Sequence, residues 1–159
     1  MRIGTGWDVH RLAEGRKFIL GGILIPCERG EVAHSDGDVL VHAIIDAILG
    51  ALAEGDIGSH FPDTDPALND VDSLQLLTRV IEEDLPPYSI ENIDTTVIVQ
   101  RPKLREHIDA IRENLARVMH LEISQVSIKA KTAEGLLGEL GTAEAVIAQA
   151  VVLISHNPC

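Results

Sequence analysis

The sequence predicts an α+β fold, and two sets of segments point to it. Stretches of alternating or β-branched character lie at 1–10, 17–26, 92–100 and 124–131, and helix-periodic stretches at 37–55, 72–83 and 104–120 interleave with them. With 159 residues, 45% of them hydrophobic, the chain is long enough to bury one core and reads as a single domain over 1–159.

Residues 1–10 are expected as a strand, in which Asp8 and His10 point to the same face because side chains alternate. Residues 17–26, KFILGGILIP, read as a hairpin turning at Gly21-Gly22, where glycine accepts positive φ. Residues 27–32 read as a polar connection into Ala33-His34-Ser35-Asp36-Gly37-Asp38, with Ser35 or Asp36 as the expected helix N-cap. The helix that follows, over 37–55, is apolar nearly all round and so should be buried. Its one polar line, Asp38, His42 and Asp46 at i, i+4 and i+8, must face something that satisfies it, and a metal ion is the leading candidate. Asp8, His10 and His42 together form a three-ligand set suited to Zn²⁺ with an open fourth position, the pattern of a catalytic zinc site. His34, just before the helix, lies where free N–H groups favour an anion and is expected to contact substrate.

Residues 55–66 carry two glycines, two prolines and three aspartates among Gly55, Asp56, Gly58, Pro62, Asp63, Asp65 and Pro66, and read as a loop that is either solvated turn chemistry or a closure over sugar hydroxyls. Asp72 or Ser73 is expected to cap a helix through about Glu83, which Pro86-Pro87 terminates. Residues 92–100 read as a strand, 104–120 as a helix with an inner stripe of Ile108, Ile111, Leu115, Val118 and Met119, and 124–131 as a further strand. Lys131, Thr132 and Glu134 at its end suit phosphate and a second cation, or are ordinary strand-terminal polar groups. Residues 143–154 are apolar enough for a closing strand or a short helix.

Composition excludes some functions. A net charge of −12 leaves little to neutralise the phosphates of nucleic acid or anionic lipid, although a phosphate-bearing substrate remains open if metal ions supply positive charge. No apolar run reaches the length of a membrane span, and the first ten residues lack the apolar run of a signal peptide. Two cysteines, Cys27 and Cys159, give no disulfide framework and fit a reducing compartment.

The combination Gly4-x-Gly6-x-Asp8-x-His10, Ala33-His34-Ser35-Asp36-Gly37-Asp38 with His42 and Asp46, Gly55-Asp56-Ile57-Gly58, and Phe61-Pro62-Asp63-Thr64-Asp65-Pro66 resembles the 2-C-methyl-D-erythritol 2,4-cyclodiphosphate synthases of the non-mevalonate isoprenoid pathway, essentially from end to end. The resemblance implies a mixed four- to five-stranded sheet with helices packed on one face, assembled as a homotrimer with active sites between subunits. It implies conversion of 4-diphosphocytidyl-2-C-methyl-D-erythritol 2-phosphate to the cyclic diphosphate and CMP by intramolecular phosphoryl transfer, a phosphorus–oxygen lyase reaction, in the cytoplasm or in a plastid. By the same resemblance Asp8, His10 and His42 hold Zn²⁺ or another divalent cation, and Glu134 holds Mg²⁺ or Mn²⁺ with the substrate phosphates. His34 and Thr132 would steady the transition state. Asp56 and Gly58 would contact the ribose, and Ser35, Asp46 and Ile57 the substrate, Asp46 either through erythritol hydroxyls or by orienting a ligand. Phe61, Pro62, Asp63, Thr64 and Asp65 would form a mobile substrate loop. Pro102 and Lys103 would fall in the segment that lines the cytosine pocket, and Gln100, Ala130, Lys131, Thr132, Ala133 and Glu134 would also contact the substrate, Lys131 through a phosphate. After Glu134 the likeness breaks: Gly135-Leu136-Leu137-Gly138-Glu139-Leu140-Gly141-Thr142 has neither the Phe nor the Arg that lines that family's trimer axis, so an axial ligand is not carried over.

Two other readings share the metal set. A zinc phosphoesterase would use water and release a linear phosphate, and a non-catalytic trimer would use the metal only as a staple.

Overall fold

The structure is a computed structural model that describes residues 1–33, 35–62, 64–68 and 71–157. In chain order its strands and helices are β1 (Arg2–Glu14), β2 (Phe18–Leu20), β3 (Ile23–Ile25), β4 (Arg29–Val32), α1 (Val39–Leu52), α2 (Ile57–His60), α3 (Ser73–Arg79), β5 (Tyr88–Val99), α4 (Ile108–Val118), β6 (Val126–Lys131) and β7 (Ala145–His156). Five strands form a mixed sheet in the order β4-β1-β7-β5-β6, antiparallel except for β5 and β6, while β2 and β3 make a separate hairpin. The parallel pair requires a crossover, which α4 supplies.

Most expected elements are present with altered ends. The opening strand continues to Glu14, and its last four residues pair with β4, a strand inside what the sequence offered as a polar connection. Four residues are too few to display alternation, so only the pairing reveals it. The loop expected over 55–66 contains the one-turn α2, and the helix expected to Glu83 is α-helical only to Arg79 before a π turn over Val80–Asp84. The closing segment is a strand, with alternating burial along β7.

The cap of α1 also differs from expectation. Asp38 caps it, one oxygen accepting the Val41 N–H at 3.0 Å and the other the Gly22 N–H at 2.7 Å, so the hairpin turn and the helix start share one carboxylate. Gly21 and Gly22, with φ of 56° and 75°, take the turn as the sequence implies.

What sets the position of α1 is the small-residue seam beneath it. A Cβ on Gly4 would lie 1.8 Å from the Ala47 carbonyl oxygen, and one on Gly6 would lie 1.9 Å from that of Ala43. The helix therefore rests on the backbone of β1, with Ala43 and Ala47 against the two glycines. Along the same face of the strand the next inward positions are Asp8 and His10. The opposite face of the sheet stays open: Ile3, Trp7, Val9 and Val151 remain 69%, 55%, 43% and 37% exposed.

Candidate metal centre

Asp8 and His10 on β1 meet His42 on α1. The Asp8 Oδ2 lies 3.0 Å from His10 Nε2 and 3.1 Å from His42 Nδ1, and the two imidazoles stand edge to face with centroids 5.2 Å apart. One donor atom from each of the three lies within 4.8 Å of the others, close enough to hold one metal ion. His10 Nδ1 lies 2.8 Å from the Gly37 carbonyl oxygen. A carbonyl can only accept, so that nitrogen carries the proton, and in the neutral ring Nε2 turns a lone pair toward Asp8. A lone pair facing a carboxylate oxygen at 3.0 Å is repulsive unless a proton or a cation lies between them, which is what a metal-ligand set requires.

The electrostatics agree. Burial pushes the Asp8 carboxyl up, but the hydrogen bonds and positive charge that His10 and His42 offer when their rings are protonated outweigh it and hold the group below the usual carboxylate range. Burial likewise pulls His10 down, and the Asp8 hydrogen bond and charge, helped by Gly37 and Asp38, raise it overall. The site is built to be occupied by positive charge.

The polar line of α1 does not act as one unit, contrary to expectation. Only His42 reaches the cluster. Asp38 is fully buried as the cap, where burial pushes its carboxyl up to about 6 against the pull of the Gly22, Val41 and Gly21 N–H groups. Asp46 accepts the Ile57 N–H at 2.7 Å and so ties the start of α2 to α1; burial raises its carboxyl, with the Ile57 bond pulling the other way.

The cluster opens into a cavity of about 610 Å³. Asp8, His10, Ser35, His42, Ile57, Gly58, Phe61, Thr64 and Asp65 line it, and so do the apolar Val32, Ala33, Pro66, Leu68, Val71 and Leu76, which the sequence had not marked. Their only signal was hydrophobicity, which serves a core as well as a pocket. Asp56 is exposed and caps α2, accepting from the Ser59 N–H at 2.9 Å and the Ser59 hydroxyl at 2.6 Å. Pro62 is exposed and is not among the cavity residues. His34 and Asp63 lie outside the described residues.

Other expected site residues gather elsewhere. Pro102, Lys103, Ala130, Lys131 and Thr132 line a second cavity of about 410 Å³ with Val99, Leu104, Arg105, Ile108 and Asp109. Beside it Glu134, at φ 52°, accepts the Thr132 hydroxyl at 2.5 Å, and Gln100 accepts the Gly135 N–H at 3.4 Å. Ala133 is buried. Within one chain the two groups of residues therefore occupy separate cavities.

Sequence reasoning gave Ser35, Asp36 and Ser73 to helix capping. Instead Ser35 Oγ and Ser73 Oγ lie 3.2 and 2.9 Å from His42 Nε2, and Ser73 donates to Asp36 at 2.5 Å. Asp72 alone caps α3.

Fold and site together define an α+β domain with a three-residue cluster able to hold a metal ion in the wall of a cavity lined by polar and apolar side chains. The model of the YgbB family matches residues 1–155. Proteins named 2-C-methyl-D-erythritol 2,4-cyclodiphosphate synthase are 56% identical over 155 residues in Trichlorobacter lovleyi, covering 97% of this chain and 98% of that one, and 53% identical over 155 residues in Salinibacter ruber, covering 97% and 98%. A solved 2C-methyl-D-erythritol-2,4-cyclodiphosphate synthase in a CDP-bound form superposes with a TM-score of 0.88 at 40% identity, covering 97% of this chain and all of that one. The bifunctional IspDF of Campylobacter jejuni superposes with a TM-score of 0.92 at 37% identity over 98% of this chain, which spans 42% of its length. This chain belongs to the YgbB family.

Proposed function

We propose that this protein converts 4-diphosphocytidyl-2-C-methyl-D-erythritol 2-phosphate to 2-C-methyl-D-erythritol 2,4-cyclodiphosphate and CMP. The observation that carries this reading is the convergence of His10 Nε2 and His42 Nδ1 on a single Asp8 oxygen, beside a cavity large enough for a small phosphorylated ligand, in a chain 56% identical to proteins bearing that name.

Asp8, His10 and His42 hold a divalent cation, read as Zn²⁺, and Glu134 holds a second, Mg²⁺ or Mn²⁺, with the substrate. Bound there, the cations supply the positive charge that a protein of net charge −12 otherwise denies to a diphosphate. The chain's own residues bind and orient. Asp46 fixes the Ile57 N–H and with it the Ile57-Gly58 wall of the first cavity. Lys103 and Lys131 bring cationic groups to the second cavity beside Thr132, suited to phosphate oxygens. His34 and Thr132 steady charge on the transferring phosphoryl group, and Asp65 belongs to the loop over the substrate. No activated serine or cysteine is required, because the attacking group is the substrate's own 2-phosphate, and catalysis reduces to holding two ends of one molecule in line. Such positioning is worth on the order of 7 to 11 kcal/mol.

The assembly is a homotrimer with the active site between subunits. The open sheet face with Ile3, Trp7, Val9 and Val151 supports it as a surface for further copies, and the two separate cavities support a site completed by bringing one from each of two chains together. The reaction is a phosphorus–oxygen lyase reaction, carried out in the cytoplasm or a plastid. No helix among the described residues is long and apolar enough to cross a membrane.

Purified protein incubated with the substrate, Zn²⁺ and Mg²⁺ should release CMP with a cyclic diphosphate visible by phosphorus NMR. His42→Ala should abolish both while the far-ultraviolet circular dichroism persists. Release of a linear phosphate would favour a phosphoesterase, and no turnover with a metal-dependent melting temperature would favour a structural metal site.

A further inference from the structure

His42 presents two nitrogens to two different surroundings, and one proton must be assigned between them. Nδ1 faces Asp8 Oδ2 at 3.1 Å. Nε2 faces Ser73 Oγ at 2.9 Å and Ser35 Oγ at 3.2 Å. Ser73 is the first residue of α3 and fully buried, so no solvent competes for its hydroxyl. That hydroxyl has a single proton, and it is donated to Asp36 Oδ1 at 2.5 Å. The same Asp36 oxygen accepts the Asp38 N–H at 3.3 Å, so it is the acceptor in both contacts. Ser73 Oγ is left with lone pairs toward His42, so it can only accept. Ser35 Oγ accepts the Gly37 N–H at 3.2 Å and keeps its own proton, but it stands farther from the ring, at 3.2 Å against 2.9 Å for Ser73.

We infer that Ser73, its proton committed to Asp36, is a positioning residue that keeps the proton of His42 on Nε2 and turns the bare Nδ1 toward the ion shared with Asp8 and His10. The inference rests on the metal-site reading above and deepens it. It makes the two imidazoles a matched pair. His10 is set by the Gly37 carbonyl and His42 by the Ser73–Asp36 chain, so the segment 36–37 controls both, although it supplies no ligand itself. It also explains why α3 begins where it does. Its cap is Asp72, which frees the following serine to turn inward.

The test uses full-length protein. In the zinc-loaded wild type, long-range ¹H–¹⁵N correlation spectra should show His42 protonated at Nε2 and metal-bound at Nδ1. Asp36→Ala frees the Ser73 proton to turn toward Nε2, so the Nε2–H loses its acceptor and the His42 ¹H and ¹⁵N signals should shift away from their wild-type positions. Zinc affinity, read by competition with a chromophoric chelator, should fall about 10- to 100-fold in Asp36→Ala and in Ser73→Ala. The double variant should fall no further than the worse single one, because the two residues act as one chain. Should Ser73→Ala fail to fold, Asp36→Ala reads the same chain on its own. Unchanged His42 signals with zinc affinity within about threefold of wild type would overturn the inference. A wild type that binds no zinc yet shows the Nε2–H form would overturn the metal reading and leave the proton assignment standing.

Discussion

Replacing Gly6 with alanine adds one methyl group at the point where α1 touches β1. The new Cβ would sit 1.9 Å from the Ala43 carbonyl oxygen and 2.6 Å from the Ala47 nitrogen, both backbone atoms of a helix that cannot rotate away. The shortest approach that real Cβ atoms show is 3.0 Å, so helix and strand must separate by about 1.1 Å locally. Overpacking of this kind costs about 1–3 kcal/mol, and a clash with backbone on both sides belongs at the upper end. Against a typical domain stability of about 5–15 kcal/mol, the variant still folds but melts markedly earlier. The functional effect is larger than the stability alone implies. Asp8 and His10 follow Gly6 on the strand, and His42 immediately precedes Ala43 on the helix, so the separation opens the ligand set itself. A displacement near 1 Å is several times the ~0.2 Å tolerance of metal–ligand distances, and zinc affinity should fall at least about tenfold. Urea unfolding and zinc competition titration measure the two effects. A Gly6→Ala protein within about 0.5 kcal/mol of wild type with unchanged zinc affinity would refute the claim that this seam places His42.

Gly50 lies on the same helix but is exposed, and a methyl group added there would meet only the Thr5 carbonyl oxygen, at 3.6 Å. Gly50→Ala should stabilise the protein by about 0.4–1 kcal/mol in urea unfolding, because helical alanine loses less entropy than glycine. Glu31 is 2% exposed and, among the described residues, neither carboxylate oxygen has a partner at hydrogen-bond geometry; burial and the charges of Asp38, Asp36 and Asp8 outweigh the pull of the Val39 N–H and push it well above its ordinary value of 4.5. The folded state therefore holds this proton more tightly than the unfolded chain, and stability falls as pH rises above about 4.5 toward the raised value. Glu31→Leu should remove that slope, so its gain in melting temperature should be larger at pH 8 than at pH 5, and an equal gain at both would contradict the argument. Asp46→Ala leaves the Ile57 N–H without its acceptor, at a cost of about 1–3 kcal/mol, and should raise KM more than it lowers kcat. A fall in kcat at constant KM would instead place Asp46 in the chemical step.

The convergence of Asp8, His10 and His42 was legible in the sequence because its parts obey simple periods. Asp8 and His10 are two apart on a strand, and His42 sits on a helix too apolar to carry a polar group idly. The reason the two elements meet was not legible. Gly4 and Gly6 look like a weak strand until Ala43 and Ala47 are found lying on them, and that contact joins residues about 40 apart in the chain. Periodicity put Asp38 and Asp46 on one line with His42, and the structure gives each of the two carboxylates its own backbone N–H partner. Spacing states which residues share a face, but it cannot distinguish a carboxylate that meets a cation from one that meets a backbone N–H of a distant turn. Ser73 was hidden for the same reason, since a serine beside Asp72 at a helix start has a sufficient local explanation in capping. β4 and α2 escaped because neither is longer than four residues. The two cavities illustrate a further limit: Lys131 and Thr132 could be attached to the metal ligands only through family likeness, for one chain folds them into a different pocket.

The most direct test of the cyclisation is to run the reaction in water enriched in ¹⁸O with Zn²⁺ and Mg²⁺ present. If the substrate's own phosphate is the attacking group, CMP and the diphosphate product both form without ¹⁸O, and mass spectrometry finds only the natural isotope. Label in either product would mean that water attacks, and the account of Asp8, His10 and His42 as the centre of an intramolecular transfer would fall.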